Sequence, residues 1–258
     1  MKRIAIVLTV LIAAFLKLAS AEVKTMDIEY TYQGTTMEGH LAWDDAIKGP
    51  RPGVMVIHEW WGLNDFSKGK AEELAKLGYV GFACDLYGKG VRPKTAEEAG
   101  KAAGVLRSDR QLMRARAQEA LATLKKQANV DSKRIACIGF CFGGGASLEL
   151  ARSGADLTGV VSFHGNLDTP NPIDAKNIKC KILVLHGAND DFINPAVPGF
   201  QKEMRDAGVD WQFTEYSGAV HAFMNPAAGD DPKKGTAYNA VAAKRAWLSM
   251  QDFFHEIF

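Results

Sequence analysis

The chain is predicted to be an α/β protein, with a mainly parallel central sheet, an N-terminal antiparallel hairpin and helices on both faces. Three observations predict it. Short unbroken apolar runs, such as Val54-Met55-Val56-Ile57, read as strands buried on both faces. These runs alternate with stretches of helical spacing, the pattern of parallel strands joined by crossover helices. The stretch Met26 to Trp43 alternates polar and apolar residues around Gln33-Gly34, which is a hairpin signal.

The elements follow in order. A turn-rich connection, Ala46 to Pro52, leads into the strand at Val54–Ile57. Phe66 to Leu77 has helical spacing and stops at Gly78, a C-cap residue. Tyr79 to Cys84 is the next strand. Thr95 to Leu106 and the amphipathic Asp109 to Gln127 are helical. Arg134 to Ile138 is a strand, and Gly144 to Arg152 a helix entered through glycines. Two further buried strands are expected at Leu157–Phe163 and Lys181–Leu185. A helix from Pro198 to Ala207 closes at Gly208, Trp211 to Tyr216 is a strand, and Ala237 to Phe258 is a long terminal helix.

Between the strand at 134–138 and its helix lies Gly139-Phe140-Cys141-Phe142-Gly143. This is the G-x-S-x-G nucleophile-elbow pattern with cysteine for serine, in the strand–turn–helix context that gives the pattern meaning. The turn is expected to hold Cys141 at positive φ, with Gly139 and Gly143 small enough for the flanking backbones to approach. The sulfur then sits at a helix N-terminus, whose partial positive charge favours an anion. A phosphate-binding reading fails because no Lys-Ser/Thr follows the glycines.

Ligands of such sheets bind beyond the carboxyl ends of the strands. The strand at 181–185 runs into His186-Gly187-Ala188-Asn189-Asp190-Asp191, and that at 211–216 into Ser217-Gly218-Ala219-Val220-His221. Nucleophile, acid and histidine thus occur in the order Cys…Asp…His, the triad order of the α/β-hydrolase fold. An imidazole can take the thiol proton, and a carboxylate on its other nitrogen fixes tautomer and orientation. Either Asp190 or Asp191 can be that carboxylate on this reading. His58, His164 and His186 also lie near strand ends; His255 reads as surface.

Together these residues resemble the dienelactone hydrolase family over nearly the whole chain. The matching stretches are Val56-Ile57-His58-Glu59-Trp60-Trp61-Gly62-Leu63-Asn64, Asp85-Leu86-Tyr87-Gly88, Gly139 to Gly144, Gly187-Ala188-Asn189-Asp190-Asp191-Phe192 and Gly218-Ala219-Val220-His221-Ala222-Phe223. The resemblance implies Cys141 as nucleophile, His221 as base and Asp190, two residues before Phe192, as orienting acid. It implies that Glu59 holds the resting thiol and releases it when substrate arrives, and that the backbone N–H groups of Trp60 and Phe142 form an oxyanion hole. Trp61, Tyr87, Lys89, His164 and Asn225 are expected to line the pocket. At two positions the chain departs from the family pattern: Lys89 and Asn225 stand where well-known members place carboxylate-binding arginines. Lysine holds a carboxylate without the bidentate fork, and asparagine is neutral. The archetypal dienelactone is therefore not the expected substrate.

Bulk properties set the remaining expectations. Residues 1–21 open with Lys2 and Arg3, continue in an apolar run too short to span a bilayer and end in Ala19-Ser20-Ala21, the pattern of an export signal. Residues 22–258 then form one domain, periplasmic or secreted and monomeric. The chain has 31 basic and 30 acidic residues; the signal holds three of the basic ones, so the remainder is slightly acidic and nucleic acid and membrane surfaces are not expected partners. Cys84, Cys137, Cys141 and Cys180 match no zinc spacing. No obligatory disulfide, metal or cofactor is expected. The predicted activity is hydrolysis of small carboxylic esters or lactones through an acyl-thioester. The alternative is a binding or thiol-redox protein that retains the fold. A Cys-dependent amidotransferase is disfavoured, because His221-Ala222-Phe223 lacks the His-x-Glu/Asp pair.

Overall fold

A computed structural model of the chain describes residues 22–258; the expected export signal, residues 1–21, lies outside them. β1 (Val23–Tyr32) and β2 (Thr35–Asp44) form the predicted hairpin, paired from Val23 opposite Asp44 to Tyr32 opposite Thr35. Its two-residue turn is Gln33-Gly34, both at positive φ as a tight hairpin requires. β2 also pairs antiparallel with β4 (Val80–Cys84). From there the sheet is parallel: β4, β3 (Arg51–Ile57), β5 (Val130–Phe140), β6 (Gly159–Phe163), β7 (Lys181–Gly187) and β8 (Trp211–Tyr216). The described chain is thus a mixed eight-stranded sheet with the α/β-hydrolase arrangement.

Alternation along the strands divides the core in two. Met55, Ile57, Cys137, Val160, Ile182 and Val184 face one side. There they meet α2 (Ala96–Ser108), α3 (Arg110–Lys125), α4 (Phe142–Arg152) and α5 (Val197–Ala207). Val54, Val56, Ile138, Val161, Leu183 and Leu185 face the other side, which α1 (Asp65–Lys76) and α6 (Ala240–Ile257) cover. Burial on both faces is why these strands read as continuous apolar runs.

Several boundaries differ from expectation by a few residues, and two of them have a clear local cause. β5 begins at Val130, before the polar stretch that hid it: Val130 and Asp131 pair with Arg51 and Pro52, then the register shifts. α6 begins at Ala240, because the Asn239 side chain caps it by accepting the Ala242 N–H. The feature that positions the site is the order β4-β3-β5. The chain leaves β3 toward β4 and later returns to the opposite edge of β3 with β5, so β3 and β5 flank the topological switch point. Glu59 lies just beyond β3, and Cys141 just beyond β5.

Candidate active site

Cys141 has φ 53° and ψ −116°, a conformation outside the usual wells for a non-glycine residue. The surroundings force it. A Cβ on Gly139 would lie 2.0 Å from the Gly143 carbonyl oxygen, and one on Gly143 would lie 2.2 Å from that of Ile57. Only glycines allow β5 to fold so tightly into α4 and allow α4 to press on the end of β3. The Cys141 N–H is pinned between the Phe163 carbonyl at 3.0 Å and His164 Nδ1 at 3.2 Å.

The structure brings Cys141, His221 and Asp190 together. His221 Nε2 lies 3.0 Å from Cys141 Sγ, and His221 Nδ1 lies 2.7 Å from Asp190 Oδ2. Asp190 is fully buried, and its other oxygen accepts the N–H groups of Phe192 and Ile193 at 3.2 and 3.3 Å. Asp191 is exposed and makes no such contact. The loop after β7 is fastened to the loop after β8: Asn189 N–H donates to the Ala219 carbonyl, and Asn189 Oδ1 accepts the Gly218 N–H, both at 2.9 Å. His221 is also bridged to Thr236, its N–H donating to Gly235 and its carbonyl accepting from Ala237. Burial disfavours the imidazolium, but the charges and hydrogen bonds of Cys141 and Asp190 outweigh it and raise His221 to about 10.

Glu59 is buried and faces the same cavity. Burial raises its carboxyl to about 7, against the hydrogen bond from Asn225 and the charge of His221. Its Oε2 accepts from Asn225 Nδ2 at 2.5 Å. In this structure the Cys141 sulfur hydrogen-bonds His221 and Glu59 pairs with Asn225, so the expected Glu59–thiol contact is not made. His58 fixes the Glu59 loop. It accepts the Leu86 N–H on Nε2 at 3.2 Å, so the hydrogen on Nδ1 is directed at the Glu59 carbonyl 2.5 Å away. Burial, opposed by Asp85, lowers the His58 pKa, consistent with that neutral tautomer.

A cavity of about 750 Å³ opens above these groups, lined by Trp60, Trp61, Cys141, His221 and Asn225 together with Glu59. As the first residue of α4, Phe142 has no intrahelical acceptor for its N–H, and among the described residues no turn or loop carbonyl accepts the Trp60 N–H.

Three expected pocket residues lie elsewhere. Lys89 is on the surface, ion-paired with Glu29 and, at 2.9 Å, with Glu38. Glu29 and Glu38 face each other across the hairpin, and like charges placed so repel; Lys89 answers them rather than a ligand. Tyr87 lies behind the cavity wall, its hydroxyl donating to the Trp60 carbonyl at 3.1 Å and its ring lining a separate cavity of about 470 Å³. His164 is fully buried beneath the elbow at φ 38°. Burial, then the charge of His221, pushes its pKa well below the ordinary value, so it is neutral, as an acceptor for the Cys141 amide must be.

The sequence reading missed Arg107, Asn166, Phe192 and Thr236, which also line the cavity. Arg107 is in the last turn of α2, away from the strand ends. Phe192 is exposed beside His221. Among the described residues no group of three or more His, Cys, Asp or Glu side chains is arranged to hold a metal ion, and no helix is long and apolar enough to cross a membrane.

Comparison with known proteins agrees with this architecture. Residues 37–258 match the model of the dienelactone hydrolase family. "Protein usf" of Aquifex pyrophilus is 32% identical over 235 residues, covering 89% of this chain and 97% of its own length. A solved structure described as "m3DLH" is 43% identical with a TM-score of 0.88, covering 92% of this chain and 99% of that one. The dienelactone hydrolase-like promiscuous phosphotriesterase P91, from metagenomic libraries, is 39% identical with a TM-score of 0.87, covering 93% and 100%. A nucleophile elbow at a sheet switch point, a cavity above it and similarity along the whole described length make this a dienelactone hydrolase-like hydrolase: the chain belongs to the dienelactone hydrolase family.

Proposed function

We propose that the protein hydrolyses small carboxylic esters or lactones through a Cys141–His221–Asp190 triad and an acyl-thioester. The observation that carries this reading is the continuous line from Asp190 Oδ2 through His221 to Cys141 Sγ, with contacts of 2.7 and 3.0 Å. His221, whose raised pKa keeps it protonated, already holds the thiol's proton on Nε2 before attack, and Asp190 stabilises the imidazolium through Nδ1. The sulfur attacks the carbonyl carbon. The resulting oxyanion is received by the free N–H groups of Trp60 and Phe142, donors fixed before the charge develops. Collapse expels the alcohol, which takes its proton from His221. Water, deprotonated by His221, then adds to the thioester, and acid and thiol are regenerated.

The test is Cys141→Ala in residues 22–258, assayed with p-nitrophenyl acetate. The expected result is loss of turnover; full activity in the variant rules the mechanism out. The same reading holds residues 22–258 to be a single monomeric domain exported by a cleaved signal, supported by the charged start, apolar run and Ala19-Ser20-Ala21 of the first 21 residues. Intact mass of the protein recovered from the periplasm or medium tests it; retention of residue 1 in the cell interior argues against it.

A further inference from the structure

We infer a second small-molecule site, separate from the catalytic cavity, that takes a medium-chain monocarboxylic acid. It is the cavity of about 470 Å³ between α2 and the loop after β4, and it shares no lining residue with the catalytic cavity. Its size falls in the range of roughly 300–1,000 Å³ typical of small-molecule sites. One wall is apolar. Tyr87 and Leu106 are buried there, beside Pro93. Val91 and Val105 also line the hollow, yet they are 43% and 53% exposed. Single exposed apolar side chains are ordinary, but here two from different segments share one cavity. A hydrocarbon chain of an occupant removes both from water.

The charged lining favours an anion at the other end of that chain. Arg92, Lys101 and Arg116 face the cavity against one carboxylate, Glu98. Glu98 is already engaged, its Oε2 accepting the Lys94 N–H at 2.8 Å at the start of α2. Arg92 is offset by buried Asp85 at 3.6 Å. Arg116 donates to the carbonyls of Leu86 and Tyr87 at 2.7 and 3.1 Å, so its positive charge is held in place without being neutralised. Among the described residues neither Arg116 nor Lys101 has a carboxylate within 4.0 Å. An apolar wall beside unneutralised cations matches a carboxylate carrying one alkyl chain.

The site adjoins the catalytic centre without opening into it. The Tyr87 ring lies 5.5 Å from that of Phe142, and its hydroxyl donates to the Trp60 carbonyl at 3.1 Å. An acid seated against Tyr87 is thus one side chain away from both residues whose amides face the reaction.

The experiment is isothermal titration calorimetry of residues 22–258 with sodium octanoate, which needs no turnover and so stands apart from the hydrolase reading. One saturable site is expected for octanoate. None is expected for acetate, which lacks the chain, or for octyltrimethylammonium, which keeps the chain and reverses the charge. Val105→Asp puts a carboxylate into the apolar wall from an exposed helix position, and Lys101→Glu reverses a lining charge. Each is expected to raise Kd about tenfold or more, with kcat/KM for p-nitrophenyl acetate within about twofold of the parent. That second measurement shows that the variants fold. Absence of saturable octanoate binding in the parent overturns the site, as does an unchanged Kd in both variants, which would seat the acid elsewhere. Equal binding of octyltrimethylammonium overturns the assignment of an anionic ligand.

Discussion

The Glu59 carboxyl and the Asn225 amide meet at 2.5 Å inside the cavity wall, a buried acid facing a neutral donor. Burial raises Glu59 from its ordinary value of 4.5 to about 7. Between those pH values the folded protein holds a proton that the unfolded chain has released, so stability falls as pH rises through the window and levels off above it. The loss amounts to about 3 kcal/mol. Glu59→Gln, which can still accept from Asn225, is expected to remove this slope. Urea unfolding of both proteins at pH 5 and pH 8 checks it, and identical slopes would contradict it.

Asp190→Asn is expected to cut kcat by about 10³-fold or more, because the histidine loses its charge partner and its tautomer. Asp191→Asn, on an exposed side chain, is expected to change little. Steady-state kinetics on one ester separates them; comparable losses would reassign the acid.

Gly143→Ala places a methyl 2.2 Å from the Ile57 carbonyl oxygen and 2.5 Å from that of His58, both backbone atoms of the central strand region. Nothing there can turn aside. The expected cost is about 3 kcal/mol or more, seen as a lower denaturation midpoint or as failure to accumulate soluble protein. A variant as stable as the parent would show that the elbow can open.

Arg152 is fully buried, and its guanidinium joins Glu203 at 2.7 Å to Glu149 at 3.0 Å behind the nucleophile helix. Arg152→Met leaves Glu203 buried without its cation, and is expected to cost about 3–5 kcal/mol. Chemical denaturation measures it; a cost below about 1 kcal/mol would mean that water reaches Glu203.

Lys89→Ala is expected to leave kcat/KM within about twofold for neutral and anionic esters alike, as for a surface change away from the site. A selective loss on anionic esters would return Lys89 to the pocket.

How much was legible follows from where each signal lies. The triad was readable because nucleophile, acid and base each sit one short loop beyond an apolar strand, and chain order alone then limits the fold. Asp190 and Asp191 could not be separated from spacing; the separation is made by burial and by the two backbone N–H groups that hold Asp190. Lys89 misled because its partners, Glu29 and Glu38, lie about 50 to 60 residues earlier, and a cross-strand pair becomes visible only once the hairpin register is set. Arg107 escaped because crossover helices were read for their apolar faces, whereas its place in the cavity wall depends on where the last turn of α2 ends in space. The start of β5 was lost for a local reason: a register shift beside Pro52 inserts polar residues into a strand otherwise continuous with its neighbour.

All four cysteines are free, but they are not equivalent. Burial drives the Cys84 and Cys137 thiols far above their ordinary range and Cys180 up to about 12, and Cys141 is the only cysteine that lines the cavity. The protein is therefore expected to consume one equivalent of a small electrophile per competent molecule, a stoichiometry that intact mass reads directly. A preparation can be standardised by mass increment alone, before any substrate is known, and the shortfall from one label per chain counts the molecules already spoiled by oxidation. With no second thiol in the cavity, such damage cannot be stored as an internal disulfide, so the count falls with each oxidised molecule and is not masked by rearrangement.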